Sequence, residues 1–192
     1  LLNKRPVLVA FFYQNGGGVT LTGGEPTFQK EFARTILMLA KINHLNTAME
    51  TSGFVQWSVF EELLPYLDEI LFDVKHVDTI IHKKYTGEDN ALILKNLSNL
   101  EKENISLRLR IPLIPDFNAS EKDQKQIADY LHDHSIFRSV DLLPYHTFGK
   151  PKYSAFGRQY LWEPHKRLSK SEIEEIQGVW SALGFDVTVG GG

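Results

Sequence analysis

Short apolar or β-branched runs alternate with helical patterns along the chain, and this alternation restricts the fold more than any other feature. The runs predict five strands with helices between them, and then a final strand, at 19–22, 47–51, 69–74, 106–113, 140–143 and 186–189. Strands that alternate with helices usually pair in parallel within one sheet. The sequence therefore predicts an α/β fold, an open or partial barrel of βα units.

The first helix is predicted from a row of large apolar residues. Phe28, Phe32, Ile36 and Leu39 have helical spacing and fall on one face. An apolar face of this kind is typical of a helix that packs against a core. The stretch 85–87 has no such spacing and is predicted to be a loop.

Capping signals predict where later helices begin and end. Asn90 and Ser120 are each expected to cap the helix that follows. Ser171 and Glu174 match a capping box at the start of the last helix, and Gly184 is expected to end it.

Composition narrows the class of protein. With 192 residues, 42% of them hydrophobic, the chain can bury one core, so we expect a single domain over 1–192 in which 1–15 is the remnant of a preceding helix or loop. The 21 basic and 24 acidic residues are interspersed, which argues against nucleic-acid binding. No apolar run approaches the roughly 18 residues that span a bilayer, so we expect a cytoplasmic protein without membrane contact.

Polar residues follow the predicted strands where each one ends. The carboxyl ends of parallel strands meet at one edge, where α/β proteins bind ligands. The mixture of charges there favours a site for a small zwitterionic or polyhydroxy ligand. The candidate residues are Gly23, Gly24, Glu25, Glu50, Asp73, Lys75, Arg110 and His146.

Each candidate also has a purely structural interpretation. The glycines are more often simple turn residues than ligand contacts, and Glu25 is suited to the start of a helix. Asp73 and Lys75 are compatible with a structural ion pair. A histidine such as His146 is often only a hydrogen-bonded structural residue.

Several strings of residues nevertheless resemble one family. The segment GGGVTLTGGEP at 16–26 is similar to the glycine-rich segment of glycyl-radical-enzyme activating enzymes, which are radical SAM proteins, and most similar to pyruvate formate-lyase activating enzymes. The strings ETSGF at 50–54, DVK at 73–75, RIPLIP at 110–115 and LPYH at 143–146 follow in the family's order. The resemblance implies a partial (βα) TIM-like barrel of the radical SAM type that lacks its first βα unit.

The resemblance also implies that the strand ends bind S-adenosylmethionine. Gly23, Gly24 and Glu25 would bind the methionyl amino group, the glycines allowing close backbone approach. Arg110 and His146 would line the side of the site that receives the sulfonium, ribose and adenine.

Three further residues receive roles from the same resemblance. Glu50, Asp73 and Lys75 would surround the methionine carboxylate and the ribose. A monovalent cation would lie at Glu50 and Asp73. No catalytic residue is implied within these 192 residues.

In this family a [4Fe–4S] cluster on a CxxxCxxC motif reduces S-adenosylmethionine, and the resulting radical abstracts hydrogen from a glycine of a partner enzyme. The implied partners are a glycyl-radical enzyme like pyruvate formate-lyase and an electron donor of the flavodoxin or ferredoxin type. The chain contains no cysteine, so the cluster would belong to the full-length protein only. We expect this chain alone to be inactive, and the exposed strand edge at 19–21 predicts self-association.

Two other interpretations stay open. The chain could be a natural protein without a cluster that binds a ligand or a partner through the same fold. It could instead be a lyase or aldolase barrel in which Lys75 forms a Schiff base.

Overall fold

The computed structural model describes residues 17–145 and 167–190. Within them, six parallel strands alternate with helices, which confirms the predicted α/β class. The described residues form two compact units, 17–73 with 91–108 and 74–90 with 109–145 and 167–190. The predicted remnant at 1–15 and the candidate His146 lie outside the described residues. A single domain over the whole chain stays a prediction.

The first unit is a three-stranded parallel arrangement with helices on one face. Its strands pair in the order β1, β2, β3. The elements are β1 (Gly18–Leu21), a 3₁₀ turn (Pro26–Gln29), α1 (Lys30–Ile42), β2 (Asn46–Thr51), α2 (Trp57–Leu63), a second 3₁₀ turn (Leu64–Tyr66), β3 (Glu69–Asp73) and α4 (Ala91–Leu100), followed by the beginning of β4 (Ser106–Leu113), up to Arg108.

The core of the first unit lies between its strands and its helices. Alternate strand residues such as Met49, Ile70 and Phe72 are fully buried, as the period-two geometry of a strand requires. Leu37 of α1 and Phe60 of α2 are fully buried as well. The side chains between the buried ones, such as Glu50 and Asp73, therefore project from the opposite face of these strands.

The face of α1 was predicted wrongly. Phe28 and Phe32 are 74% and 64% exposed, and Leu39 is also exposed, so this row lies on the solvent side. The buried face consists of Ala33, Leu37 and Ala40, with Ile36 only half-buried. The two small alanines allow the helix axis to approach the strands closely, which the large aromatic residues would prevent.

The second unit pairs β4, β5 and β6 in parallel. Its elements are α3 (Thr79–Thr86), β4 (Ser106–Leu113, from Leu109 onward), α5 (Glu121–His134), β5 (Ser139–Pro144), α6 (Lys170–Ala182) and β6 (Asp186–Val189). Strands β4 and β6 have the bounds that the sequence predicts. Ile111, Ile127 and Trp180 are among its fully buried side chains.

Two local predictions for the later elements need correction, the loop at 85–87 and the position of the capping box. The stretch 85–87 is no loop, because Tyr85 and Thr86 form the last turn of α3, which ends at Gly87 in the left-handed conformation with φ of 90°. The capping box is formed by Ser169 and Glu172, two residues before the predicted pair, because α6 begins at Lys170.

Two of the three remaining helix-end predictions, those at Ser120 and Gly184, are confirmed. Ser120 caps α5 as predicted, since its hydroxyl accepts a hydrogen bond from the amide of Asp123. Asn90 directly precedes α4, and its carboxamide bonds the hydroxyl of Thr79 and the carbonyls of His76 and Val77. That it caps α4 stays a prediction. Gly184 follows α6 with φ of 82°, as expected of a helix stop.

No helix within the described ranges is both long enough and apolar enough to cross a membrane. Self-association through the edge at β1 stays a prediction, which light scattering tests directly.

Candidate functional site

In the first unit, Glu25 ties the loop after β1 to the end of β2. Its Oε1 atom accepts hydrogen bonds from the hydroxyls of Thr27 and Thr51, each at 2.8 Å. Its Oε2 atom accepts from the Ser52 amide at 2.9 Å and from the Ser52 hydroxyl at 2.7 Å. We call Glu25, Thr27, Thr51 and Ser52 the Glu25 cluster. It brings two of the predicted strand ends together.

The Glu25 cluster keeps its carboxylate ionised. Burial raises the pKa of Glu25, but the amide and hydroxyl of Ser52 and the hydroxyls of Thr27 and Thr51 more than offset this and hold the pKa below its ordinary value of 4.5. A fixed negative charge therefore lies at the carboxyl edge of the first unit at neutral pH.

Glycines around the cluster have backbone roles. Gly23 has φ of 117°, a conformation that other residues rarely adopt, and a Cβ atom placed on Gly23 or Gly24 would meet no atom of residues 17–145 and 167–190 within 4 Å. The backbone there is open to a ligand. Gly53 differs, because its φ is 72° and a Cβ atom would lie 2.3 Å from Cζ of Phe72. Only glycine fits there without displacing a core aromatic ring.

Glu50 and Asp73 share the face of the first unit that points away from α1 and α2. In register, Glu50 lies opposite Leu71, so Asp73 is one diagonal step from Glu50 on the same face. Glu50 also accepts a hydrogen bond from the hydroxyl of Thr22 at 2.6 Å. The first unit thus collects three of the predicted acidic residues at its carboxyl edge.

The predicted monovalent cation would need more than these two carboxylates. Across 17–145 and 167–190, no three histidine, aspartate or glutamate side chains are grouped in a way that could bind a metal ion. A cation at Glu50 and Asp73 stays a prediction, and its other ligands would be backbone, hydroxyl or ligand oxygens.

In the second unit, the segment containing Lys75 is attached to β4. The amide of Val74 donates to the carbonyl of Arg110 at 2.9 Å. The side-chain amide of Asn118 donates to the carbonyls of Lys75 and Pro112, both at 2.7 Å. The structure thereby brings together the two basic candidates of this unit.

Arg110 lies on the half-buried face of β4, as the alternation in the sequence predicts. Its register partner on β5 is Asp141, which is 4% exposed and which is paired in turn with Thr188 on β6. The hydroxyl of Thr188 donates to the Asp141 carboxylate. A carboxylate, Asp141, thus neighbours Arg110, the arginine predicted to bind ligand. The sequence signal for Asp141 was an acidic residue directly after Val140 within a predicted strand.

Sequence reasoning also missed the role of three asparagines in stabilising the loops after the strands, although it predicted one of them, Asn90, as a helix cap. Asn96 and Asn118 are fully buried and Asn90 is 1% exposed. In the first unit, Asn96 donates to the carbonyls of Gly53 and Val55 at 2.8 and 2.7 Å. The sequence feature that could have revealed Asn96 is its position as a polar residue on the apolar face of a predicted helix, next to Leu97.

The residues of the predicted site are therefore distributed over the two units. The first unit places Gly23, Gly24, Glu25, Glu50 and Asp73 at its carboxyl edge, and the second places Lys75 beside the strand of Arg110. That all of them line one cavity stays a prediction.

Comparison with known proteins identifies the family. The sequence model of the Radical SAM superfamily matches residues 7–130, more than half of the 192-residue chain. The chain belongs to the radical SAM superfamily. The matched range contains all the candidate residues except His146.

Within the superfamily, the chain is homologous to glycyl-radical-enzyme activating enzymes, as predicted. It is 38% identical over 182 residues to the choline trimethylamine-lyase activating enzyme of Oleidesulfovibrio alaskensis, covering 93% of this chain and 59% of that protein. It is 34% identical over 180 residues to the 4-hydroxyphenylacetate decarboxylase activating enzyme of Clostridioides difficile, covering 93% and 57%. The chain thus spans less than two thirds of these relatives.

Solved structures agree with this assignment. A domain of pyruvate-formate lyase-activating enzyme from Bacteroides vulgatus superposes with a TM-score of 0.72 at 28% identity, over 91% of this chain and 99% of that one. Streptococcus suis SuiB superposes with a TM-score of 0.66 at 13% identity, over 95% and 41%, and shares the fold. The radical SAM partial barrel is thereby confirmed.

One feature expected of the superfamily is absent from the sequence. Iron–sulfur clusters are held by cysteine thiolates, and none of the 192 residues is a cysteine. The residues present therefore do not fit a [4Fe–4S] cluster.

Proposed function

We propose that this chain is the S-adenosylmethionine-binding part of a glycyl-radical-enzyme activase. The Glu25 cluster beside Gly23 and Gly24 supports this most. It places an ionised carboxylate and open backbone together at a carboxyl strand edge, within the segment that resembles the family's glycine-rich motif.

The first unit would receive the positively charged amino group. Because the Glu25 carboxylate already accepts bonds from three neighbouring residues, its main contribution would be charge, while the backbone of Gly23 and Gly24 makes close contacts. Glu50 and Asp73, on one face of the same unit, suit the ribose hydroxyls or a cation beside the methionine carboxylate.

The second unit would receive the negatively charged carboxylate and the rest of the ligand. Lys75 supplies a cation for the methionine carboxylate. Arg110, next to buried Asp141, and His146 would line the sulfonium, ribose and adenine.

S-adenosylmethionine bound here would supply, after one-electron reduction by the cluster of a longer protein, the radical that takes hydrogen from a glycine of a partner enzyme. The share of this chain is to bind and orient that molecule and to exclude water. The [4Fe–4S] cluster and the contact with a flavodoxin- or ferredoxin-type donor would come from the rest of a longer protein, and the partner would be a glycyl-radical enzyme, such as one like pyruvate formate-lyase. Alone, this chain would be inactive.

Calorimetric titration with S-adenosylmethionine tests the binding step. The wild-type chain should bind, and Arg110→Met should weaken binding by about tenfold or more. Arg108→Met is the matched control, because Arg108 lies on the same face of β4 but two residues nearer its amino end. The proposal fails if the wild type does not bind, or if both variants weaken binding equally.

Anaerobic reconstitution with iron and sulfide tests the statement about the cluster. The chain should develop no cluster absorbance, because it offers no thiolate. Appearance of that absorbance would refute the argument from cysteine.

The absence of cysteine also favours a second candidate, a ligand- or partner-binding protein of this fold that has no cluster at all. The intact mass of the natural protein and any sequence that precedes Leu1 in it separate the two. Three cysteines in a CxxxCxxC arrangement support the activase, and a natural protein without them supports the second candidate.

A further inference from the structure

Asn118 lies in a buried position where two strand-end segments of the second unit meet. Its side chain is fully buried. Nδ2 donates to the carbonyls of Lys75 and Pro112, both at 2.7 Å, and Oδ1 accepts from the amide of Ile114 at 2.8 Å. One carboxamide thus makes three hydrogen bonds, and they join the segment after β3 to the end of β4.

Partner chemistry determines the orientation of this carboxamide. A carbonyl only accepts and a backbone amide only donates, so the reversed carboxamide would face each partner with the wrong group. Because all three bonds would be lost together, Asn118 has a single favourable orientation in this site.

A second carboxamide supports Asn118 from the helices. Nε2 of Gln124 in α5 donates to the Asn118 carbonyl at 2.7 Å, and Oε1 of Gln124 accepts from the indole of Trp180 in α6 at 3.0 Å. The indole is a donor only, which determines the orientation of Gln124 in turn. We call Asn118, Gln124 and Trp180 the Asn118 network. All three are fully buried.

We infer that Asn118 is a positioning residue, which holds the backbone of Lys75 against the end of β4 that presents Arg110. Lys75 accepts one bond from Asn118, and Pro112 is two residues beyond Arg110 on the same strand. Removing the carboxamide would leave two carbonyls and one amide without their partner in a buried site, so the two segments should separate. The role of the two basic residues as ligand contacts rests on the proposed function, whereas the mechanical role of Asn118 does not.

Amide hydrogen exchange tests the mechanical role residue by residue. In Asn118→Ala the Ile114 amide should lose protection, because it bonds Asn118 directly. The informative reporters are two amides whose hydrogen bonds are made to groups other than Asn118. The Val74 amide donates to the Arg110 carbonyl, and the Asp78 amide donates to the His76 ring. If Asn118 positions Lys75, both should exchange about tenfold faster or more.

Leu131→Ala is the matched control. Leu131 is fully buried near the end of α5 that lies away from Asn118, so this variant should lose stability without a selective effect on Val74 and Asp78. Gln124→Met keeps the carboxamide of Asn118 and should accelerate exchange of the Val74 and Asp78 amides to a smaller extent. This variant replaces Asn118→Ala in the experiment if Asn118→Ala does not fold. Loss of protection confined to Ile114, or an equal effect in Leu131→Ala, would overturn the inference.

Titration with S-adenosylmethionine gives the second readout. Asn118→Ala should weaken binding by about tenfold relative to Leu131→Ala, although Asn118 need not contact the ligand. If the wild-type chain does not bind S-adenosylmethionine, the proposed function fails, and hydrogen exchange alone decides the role of Asn118. If the wild type binds and Asn118→Ala binds equally well, positioning of the ligand contacts is refuted.

Discussion

The loops at the strand ends are held by a charged hydrogen-bond acceptor in the first unit and by a neutral hydrogen-bond donor in the second. In the first, an ionised carboxylate, Glu25, accepts hydrogen bonds from Thr27, Thr51 and Ser52. In the second, a neutral carboxamide, Asn118, donates to backbone carbonyls. Glu25 is only partly buried, whereas Asn118 has no exposed surface.

The difference follows from the cost of burying charge. A carboxylate that keeps contact with water can accept several hydrogen bonds and still attract a cationic ligand. In a fully buried site the same charge would lose its hydration, and a neutral amide satisfies carbonyls without that penalty. We therefore expect the first unit to respond to pH and the second to respond to changes in packing and hydrogen bonding.

The largest effect is expected when the carboxamide is exchanged for a carboxylate. Asn118→Asp is nearly isosteric, but it turns an acceptor toward the carbonyls of Lys75 and Pro112 in a site without water contact. It should lower the free energy of unfolding by about 3 to 5 kcal/mol, measured by urea denaturation. A loss below about 1 kcal/mol would show that this site tolerates charge, and the contrast between the units would disappear.

The reverse exchange in the first unit should cost less. Glu25→Gln replaces one acceptor oxygen by an amino group that faces hydroxyl or amide donors of Thr51 or Ser52. Because the site is partly exposed, water can replace some of the lost bonds, and we expect a loss of roughly 2 kcal/mol. A loss larger than that of Asn118→Asp would reverse the proposed order of the two units.

The effect of Glu25→Gln should depend on pH. The folded-state pKa of Glu25 lies below its ordinary value of 4.5, so its carboxylate stabilises the fold fully above that value. This contribution should be lost as the pH falls from 4.5 through the lower folded-state pKa, and the difference between wild type and variant should shrink. Urea denaturation at about pH 7 and about pH 3 measures it.

Glu61→Gln removes an exposed carboxylate of α2 and is the control for general acid effects. Its difference from wild type should be small at both values of pH. A difference for Glu25→Gln that is constant or grows in acid would contradict the ionised state of Glu25.

The smallest effect is expected at a surface ion pair of the first unit. Lys30 and Glu62 lie 2.7 Å apart, but each side chain is 40% exposed. Water and salt screen such pairs, so Lys30→Met should leave the melting temperature unchanged within error. A marked decrease would show that charge outside the Glu25 cluster also organises this unit.

Much of the fold follows from local patterns in the sequence. Strand β4 was predicted with its observed bounds because Leu107, Leu109 and Ile111 alternate with arginines. The buried face of α1 was missed, since residue size suggests an aromatic interface while close packing favours Ala33 and Ala40. Helix α3 was missed as well, because it has only eight residues and weak apolar spacing.

The candidate site was predictable to a smaller extent. The rule that polar groups gather at carboxyl strand ends located Glu25 and Arg110. It did not locate Asn96 or Asn118, because asparagine is typical of turns. The carbonyls of Gly53 and Lys75, which these two side chains bond, each lie 43 residues away in the sequence. Long-range hydrogen bonds of this kind become visible only in the folded chain.

The proposed function requires that residues at the strand ends, Gly23, Gly24, Glu25, Lys75 and Arg110 among them, respond to S-adenosylmethionine. Chemical-shift mapping by NMR tests it most directly, with S-adenosylmethionine added to the labelled wild-type chain. We expect simultaneous changes at the amides of Gly23, Gly24 and Glu25 in the first unit and of Lys75 and Arg110 in the second. Changes confined to one unit, or located only around residues remote from the strand ends, would contradict it.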